Sequence, residues 1–156
     1  ALAALGVRYG EPREVIAASD LVTLHCPLTP ETHHLLDAAE FAQMRRGAMV
    51  VNTSRGAILD AEAAIEALKS GQLGGLAIDV YEQEADLFFE DLSNEIIQDD
   101  TLQRLMMFPN VLVTGHQAFF TREALGNIAD TTLGNISAFA NGEALENAVT
   151  AAGTRG

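Results

Sequence analysis

An arginine, a glutamate and a histidine can together grip a carboxylate, orient an imidazole and pass a proton. In this sequence each of the three stands just past an apolar run of strand length. Val50 to Gly56 reads VVNTSRG and puts Arg55 beyond the run; Leu76 to Val80 (LAIDV) leads through Tyr81 to Glu84; Val111 to Thr114 (VLVT) leads to Gly115 and His116. Ligands of an open α/β sheet bind at the carboxyl ends of its strands, so the three side chains are expected to share one edge. Each alone has a plainer account. An Arg on a loop is a surface charge or a helix C-terminal partner, Glu84 is one acid in an acidic stretch, and a His after a strand is a hydrogen-bonded loop residue. Their convergence on one edge is what points to chemistry.

The elements that must position them follow from periodicity and punctuation. Ala1 to Leu5 reads as the tail of a helix stopped by Gly6, and Val7 to Tyr9 as a short strand. Pro12 suits a first helical turn, and Arg13 to Ala18 reads as a short helix. Leu21 to Cys26 (LVTLHC) is a strand that Pro27 cannot continue. A helix is expected over Leu36 to Met44, ended by Arg45, Arg46 and Gly47, and then the strand Ala48 to Asn52. Asp60 is placed to cap a helix over Ala61 to Ser70, with Gly71 after it. Leu76 to Val80 is strand, Leu102 to Met107 a short helix before Pro109, and Val111 to Thr114 the last strand. Thr121 caps a long helix to about Ala140, with Leu125, Ile128, Leu133, Ile136 and Phe139 along one stripe. Strands alternating with helices imply βαβ units and a parallel sheet. Asp86 to Asp100 interrupts this rhythm as an acidic inserted loop; the spacing of a calcium loop is absent from it.

At 156 residues, 48% hydrophobic and 20% charged, the chain is about one domain long and can bury a core. Its 22 acids against 9 bases give a formal charge of −13, which repels nucleic-acid backbones and anionic lipid. No apolar run approaches the ~20 residues of a membrane span, and the N-terminus has no signal-peptide pattern. The single Cys26 can form no internal disulfide, which agrees with a reducing compartment, so a cytoplasmic location is expected. His25, His33 and His34 read as a loop histidine and two solvent-facing ones, with no spacing that suggests a metal. Phe119 and Phe120 either wall a pocket or bury the start of the long helix.

HCPLTPET at 25 to 32, VNTSRGAILD at 51 to 60, AIDVYEQE at 77 to 84 and GHQAFFT at 115 to 121 together resemble the D-2-hydroxyacid dehydrogenase family. The acidic insert DLFFEDLSNEIIQDD makes the chain look most like that family's fermentative D-lactate dehydrogenases. The resemblance covers essentially the whole chain but only the second half of such an enzyme. No G-x-G-x-x-G follows any strand, so the phosphate-binding half of a dinucleotide fold is not in this chain.

The resemblance implies an α/β fold: a partial Rossmann-like, doubly wound parallel sheet, the second half of the NAD-binding domain. Its long C-terminal helix would return toward a substrate domain the chain lacks. Residues 1–120 would be the partial NAD-binding domain, 121–150 the helix and tail of the substrate domain, and 151–156 a frayed end. It assigns the catalytic roles to Arg55 (carboxylate clamp), Glu84 (orienting acid) and His116 (acid/base). It assigns contacts with NAD to Cys26, Pro27, Thr53, Ser54, Arg55 and Asp79, and to Thr32, where close relatives often carry Asn. The function implied is reversible reduction of pyruvate to D-lactate by a protein that is a homo-oligomer at full length; the 156-residue chain alone is expected to be inactive. The alternatives are a non-catalytic binding module of the same fold, resembling a co-regulator, or an inactive truncated gene product.

Overall fold

The computed structural model describes residues 2–84 and 98–149, so most of the expected acidic loop and the expected frayed end lie outside the described residues. The chain divides into two compact units, Ala1–His116 and Gln117–Gly156. In the first, a 3-10 turn, Leu2–Leu5, precedes α1 (Pro12–Ala18), β1 (Leu21–Leu24), α2 (Ala38–Gln43), β2 (Ala48–Asn52), α3 (Ala61–Lys69), β3 (Leu73–Ile78), α4 (Asp100–Met106) and β4 (Val111–Val113). The strands form one parallel sheet in the order β1-β2-β3-β4, as the alternation of elements requires.

Each strand's alternate residues point to one face, and that face is the core. Leu24, Val50, Leu76 and Ile78 are buried there against Ile16, Phe41, Ile65, Leu68, Leu102 and Leu105 of the helices. The opposite face carries Leu21, Met49 and Leu112, all half or more exposed. Within this unit, helices cover one face of the sheet only.

Several boundaries differ from the sequence expectation. α4, expected from Leu102 after a loop to Asp100, starts at Asp100 because the Asp99 carboxylate caps it on the Leu102 amide (2.7 Å). Val7 to Tyr9 is not a strand, because no described strand offers it a ladder partner; Val7 and Tyr9 are exposed. α2 starts two residues later than expected because Asp37 leaves the helix to cap it, its carboxylate accepting from the amides of Ala39 (2.6 Å) and Glu40 (3.4 Å). Leu36 is instead fully buried in a parallel bridge to Leu59. β3 begins at Leu73, through two glycines whose low strand propensity hid it. A Cβ on Gly74 would lie 2.3 Å from the carbonyl oxygen of Gly47, so the close approach of the chains requires glycine there. β1 ends at Leu24, which leaves Cys26 and Pro27 in the loop beyond it.

The second unit is dominated by α5 (Arg122–Asn141), capped by the Thr121 hydroxyl on the Ala124 amide and stopped by Gly142 at φ +69°. None of its residues is buried, and the apolar stripe from Leu125 to Phe139 is exposed.

The start of α2 stores a titration. Glu40 is buried, 3.0 Å from the Arg13 guanidinium and beside Asp37. Burial first, then the shared hydrogen bond and repulsion with Asp37, raise its carboxyl above the ordinary value, with Arg13 opposing. The folded chain therefore holds this proton to higher pH than the unfolded chain does. Its contribution is present below the unfolded value and lost as pH rises through the raised one. Urea unfolding of Glu40→Gln and the parent from about pH 4 to pH 7 should show the difference moving in the variant's favour as pH rises. A constant difference would contradict this account.

Candidate active site

Three loops leave the carboxyl edge of the sheet, and their shapes are set by buried polar groups. At the end of β2, Asn52 is fully buried; its Oδ1 accepts from the Ser54 amide (3.1 Å) and its Nδ2 donates to the Arg55 carbonyl (2.9 Å). This side chain folds the exit of β2 into a fixed turn, the local bonding that suits Asn to such places. The Ser54 hydroxyl donates to the Cys26 carbonyl at 2.5 Å, tying the turn to the loop after β1. Arg55 is exposed, one guanidinium nitrogen donating to the Ser54 carbonyl at 2.8 Å.

Gly56 follows, and a Cβ there would lie 2.1 Å from the Tyr81 carbonyl carbon and 2.2 Å from the Glu82 nitrogen. The loop that carries Arg55 therefore packs directly on the backbone that leads to Glu84.

Past β3, Asp79 is buried at the sheet edge and accepts a hydrogen bond from the Thr114 hydroxyl. Its backbone amide donates to the Asn52 carbonyl (2.9 Å), and its carbonyl accepts from the His116 amide (2.7 Å). His116 sits in the left-handed region at φ +51°, one of the residue types enriched there. The turn after β3 is closed by Glu84, whose amide donates to the Tyr81 carbonyl (3.2 Å) while its Oε2 accepts from the Tyr81 amide (2.9 Å). Tyr81 is anchored in turn: it is buried, and its hydroxyl donates to the Asp99 carboxylate at 3.0 Å, the group that caps α4. Burial, then Asp99, push the Tyr81 phenol far above its ordinary range, so it stays a donor.

The outcome is a contact of 2.8 Å between Glu84 Oε1 and His116 Nδ1. An ionised carboxylate only accepts, so this bond assigns a ring proton to Nδ1. Both side chains are half-buried.

Of the expected site residues, the structure brings Glu84 and His116 into contact and sets Arg55 on the neighbouring loop. Asp79 lies beneath His116, bonded to its backbone. Thr53 is exposed on the Asn52 turn, and Cys26 and Pro27 follow β1. Thr32 donates its hydroxyl to the Pro27 carbonyl (2.7 Å) and accepts from the Thr29 amide (2.7 Å), so like Ser54 it braces a loop.

Residues not singled out from the sequence build the site: Asn52, Gly56, Tyr81 and Thr114. The pattern N-T-S-R-G at a strand end carried a signal for the first two, an Asn able to bond its own turn and a glycine where no reversal is needed. Tyr81 and Thr114 gave no local sign.

His33 is exposed and His34 half-buried, close to the solvent-facing expectation, but a carboxylate not anticipated meets both: Glu82 Oε1 lies 3.7 Å from His33 Nε2, and Glu82 Oε2 lies 3.2 Å from His34 Nε2. The carboxylate comes from the far side of β2 and β3, so no local spacing could announce it.

A four-stranded parallel sheet with a carboxylate–imidazole pair at its carboxyl edge defines the class as an α/β nucleotide-binding domain of the dehydrogenase kind. Residues 1–118 match the family model of the D-isomer specific 2-hydroxyacid dehydrogenase NAD-binding domain, and the chain belongs to that family. It is 57% identical over 143 residues to the D-lactate dehydrogenase of Escherichia coli, covering 92% of this chain and 44% of that protein. Among solved structures it resembles the pyruvate reductase of Chlamydomonas reinhardtii, with a TM-score of 0.89 at 42% identity over 94% of this chain and 45% of that one. It also resembles a Lactobacillus jensenii D-lactate dehydrogenase solved with NAD+, with a TM-score of 0.82 at 30% identity over 91% of this chain and 43% of that one. The chain thus spans less than half the length of the relatives it matches, and the cofactor of the family is NAD.

Because a Cβ on Gly56 would lie within van der Waals distance of the Tyr81–Glu82 backbone, Gly56→Ala must push two loops apart. Overpacking of this kind costs about 1–3 kcal/mol. A lowered urea midpoint with an unchanged m-value is expected; an unaltered midpoint would show that the loops are free to separate.

Proposed function

We propose that this chain is the carboxyl-side part of an NAD-dependent D-lactate dehydrogenase, acting in the reversible reduction of pyruvate to D-lactate. The observation that carries the reading is the 2.8 Å bond between Glu84 and His116 Nδ1, which pairs an imidazole with an orienting carboxylate at the carboxyl edge of the sheet. A 2-oxo acid presents a carboxylate and a ketone. Arg55 can hold the carboxylate through paired N–H donors, as a planar guanidinium does, and so fix which carbon is presented. NAD, when bound in its reduced form, supplies the hydride. Negative charge then develops on the ketone oxygen, and His116 Nε2 gives it the proton that completes the alcohol; in the other direction neutral Nε2 takes that proton back. Glu84 holds the Nδ1 proton and keeps the ring from turning.

Asp79 fits the nicotinamide end of the cofactor, because a buried carboxylate at this edge is an acceptor for a carboxamide N–H. Cys26, Pro27, Thr32, Thr53 and Ser54 form the surrounding loops. The glycine-rich cradle for the phosphates is not among the residues of this chain. The exposed Leu21, Met49 and Leu112 on the uncovered face of the sheet support a longer protein that covers them. We read residues 1–120 as part of the NAD-binding domain, 121–150 as helix and tail of the substrate domain, and the complete protein as a cytoplasmic homo-oligomer. Among the described residues no helix is long and apolar enough to cross a membrane.

The test is pyruvate-dependent oxidation of NADH by the 156-residue chain and by the complete product of its reading frame. Activity is expected in a complete product that carries the cofactor cradle, and not in the chain alone. In the active protein, His116→Ala should lower kcat by about 10²–10⁴-fold with NADH affinity nearly unchanged. Arg55→Lys should raise KM for pyruvate, because the ammonium cannot make the paired contact. Equal losses of turnover and NADH affinity in His116→Ala would refute its acid/base role. Lack of turnover with every 2-oxo acid tested would favour a non-catalytic binding module.

A further inference from the structure

His33, His34 and Glu82 form a second cluster that the dehydrogenase chemistry does not use. We propose that it is a binding site for a divalent transition-metal ion such as Zn²⁺, which clips the turn after β1 to the turn after β3. The proposal does not depend on the catalytic reading.

The donor set is what such an ion takes: two imidazole nitrogens and one carboxylate. The three ligand atoms lie within 4.8 Å of one another. Around a tetrahedral ion with bonds of about 2.0–2.1 Å, ligand atoms sit roughly 3.3 Å apart. Glu82 Oε2 lies 3.2 Å from His34 Nε2 and Oε1 lies 3.7 Å from His33 Nε2, so the carboxylate already reaches both rings, which must tilt out of their stack to turn both lone pairs on one ion.

The backbone already holds the ligands in place. Successive residues of an extended chain point in opposite directions, but His34 is left-handed at φ +49°, and the two rings stack side by side with centroids 4.0 Å apart. The His33 amide donates to the Thr29 carbonyl (2.9 Å) and the His34 amide to the Ala57 carbonyl (2.8 Å). Glu82 is fixed from the other side by the close approach of Gly56 to its nitrogen.

Electrostatics favours a cation over the bare cluster. A divalent ion takes both nitrogens as neutral donors and satisfies the carboxylate too. Among the described residues no Lys or Arg forms a salt bridge with Glu82, and the chain as a whole carries −13. The nitrogen ligands select a borderline ion over Mg²⁺ or Ca²⁺, which prefer oxygen. Three protein ligands leave a coordination position open to water.

The experiment is calorimetric titration of the chelator-treated complete protein with Zn²⁺ alone, beside His33→Ala, Glu82→Gln and His116→Ala. All three parent ligands are at least half-exposed or on surface turns, and far-UV circular dichroism checks that each variant folds. One equivalent should bind with a micromolar dissociation constant and raise Tm, while Mg²⁺ at the same concentration does neither. His33→Ala and Glu82→Gln should each weaken binding at least tenfold, and His116→Ala should leave it unchanged. Co²⁺ should give the parent a visible absorption that His33→Ala lacks. The proposal is overturned if Zn²⁺ fails to bind, if His33→Ala and Glu82→Gln bind it as the parent does, or if His116→Ala abolishes binding that His33→Ala retains.

Discussion

The parallel ladder of this sheet continues past the point where its strands end. The Asp79 amide donates to the Asn52 carbonyl, the Thr114 amide to the Ile78 carbonyl, and the His116 amide to the Asp79 carbonyl, all between 2.7 and 2.9 Å. These bonds turn three separate exits into one continuous rim, and every candidate catalytic side chain hangs from it. A buried backbone amide or carbonyl must find a partner, and here the partners are the neighbouring exits. The left-handed backbone of His116 is held by the same network. A non-glycine residue in that region persists where its surroundings over-determine it, and His116 is fixed both by its amide and by its ring on Glu84.

The rim also explains why an aspartate can be buried at its centre. Asp79 carries a carboxylate at a position where desolvation is costly. It is tolerated because the Thr114 hydroxyl reaches it from β4 and the strand ends surround it with polar backbone. Tyr81 follows the same logic one turn later. Its ring is core and its hydroxyl is satisfied by Asp99, which also serves α4 as cap, so a single carboxylate links a helix start to the loop that carries Glu84. Stability and site geometry are therefore not separable at this edge.

How much of this was legible depends on the range of the interaction. The strands AMVVN and VLVT, the caps Asp60 and Thr121, and the stop at Gly71 are local signals, and the structure places them within a residue or so of the reading. The identity of the three side chains at the strand exits was also legible, because a parallel sheet brings all its carboxyl ends to one edge. Gly74 and Gly75 hid the start of β3, and the need for Gly74 arises from the Gly47 carbonyl on a neighbouring segment. Asp37 was read as helix because its cap role depends on where the helix axis begins. His33 and His34 were read as solvent-facing because Glu82 arrives from 48 residues away. Short-range chemistry was written in the sequence; pairing across the sheet was not.

That same distinction bears on what the rim can do by itself. The proton-handling pair is complete within Ala1–His116, since both partners and the backbone that fixes them belong to that unit. The grip on a substrate is of another kind. Arg55 is exposed, and among the described residues its guanidinium bonds only its neighbour's carbonyl, so under the proposed reading it would gain direction from a bound carboxylate rather than from the fold. An exposed, self-bonded arginine must give up that contact and lose side-chain freedom to clamp an anion, which weakens the clamp unless further groups close over it. Under the proposed reading the acid–base pair is therefore preorganised by the sheet edge, whereas a carboxylate clamp at Arg55 would take its working geometry only with substrate present.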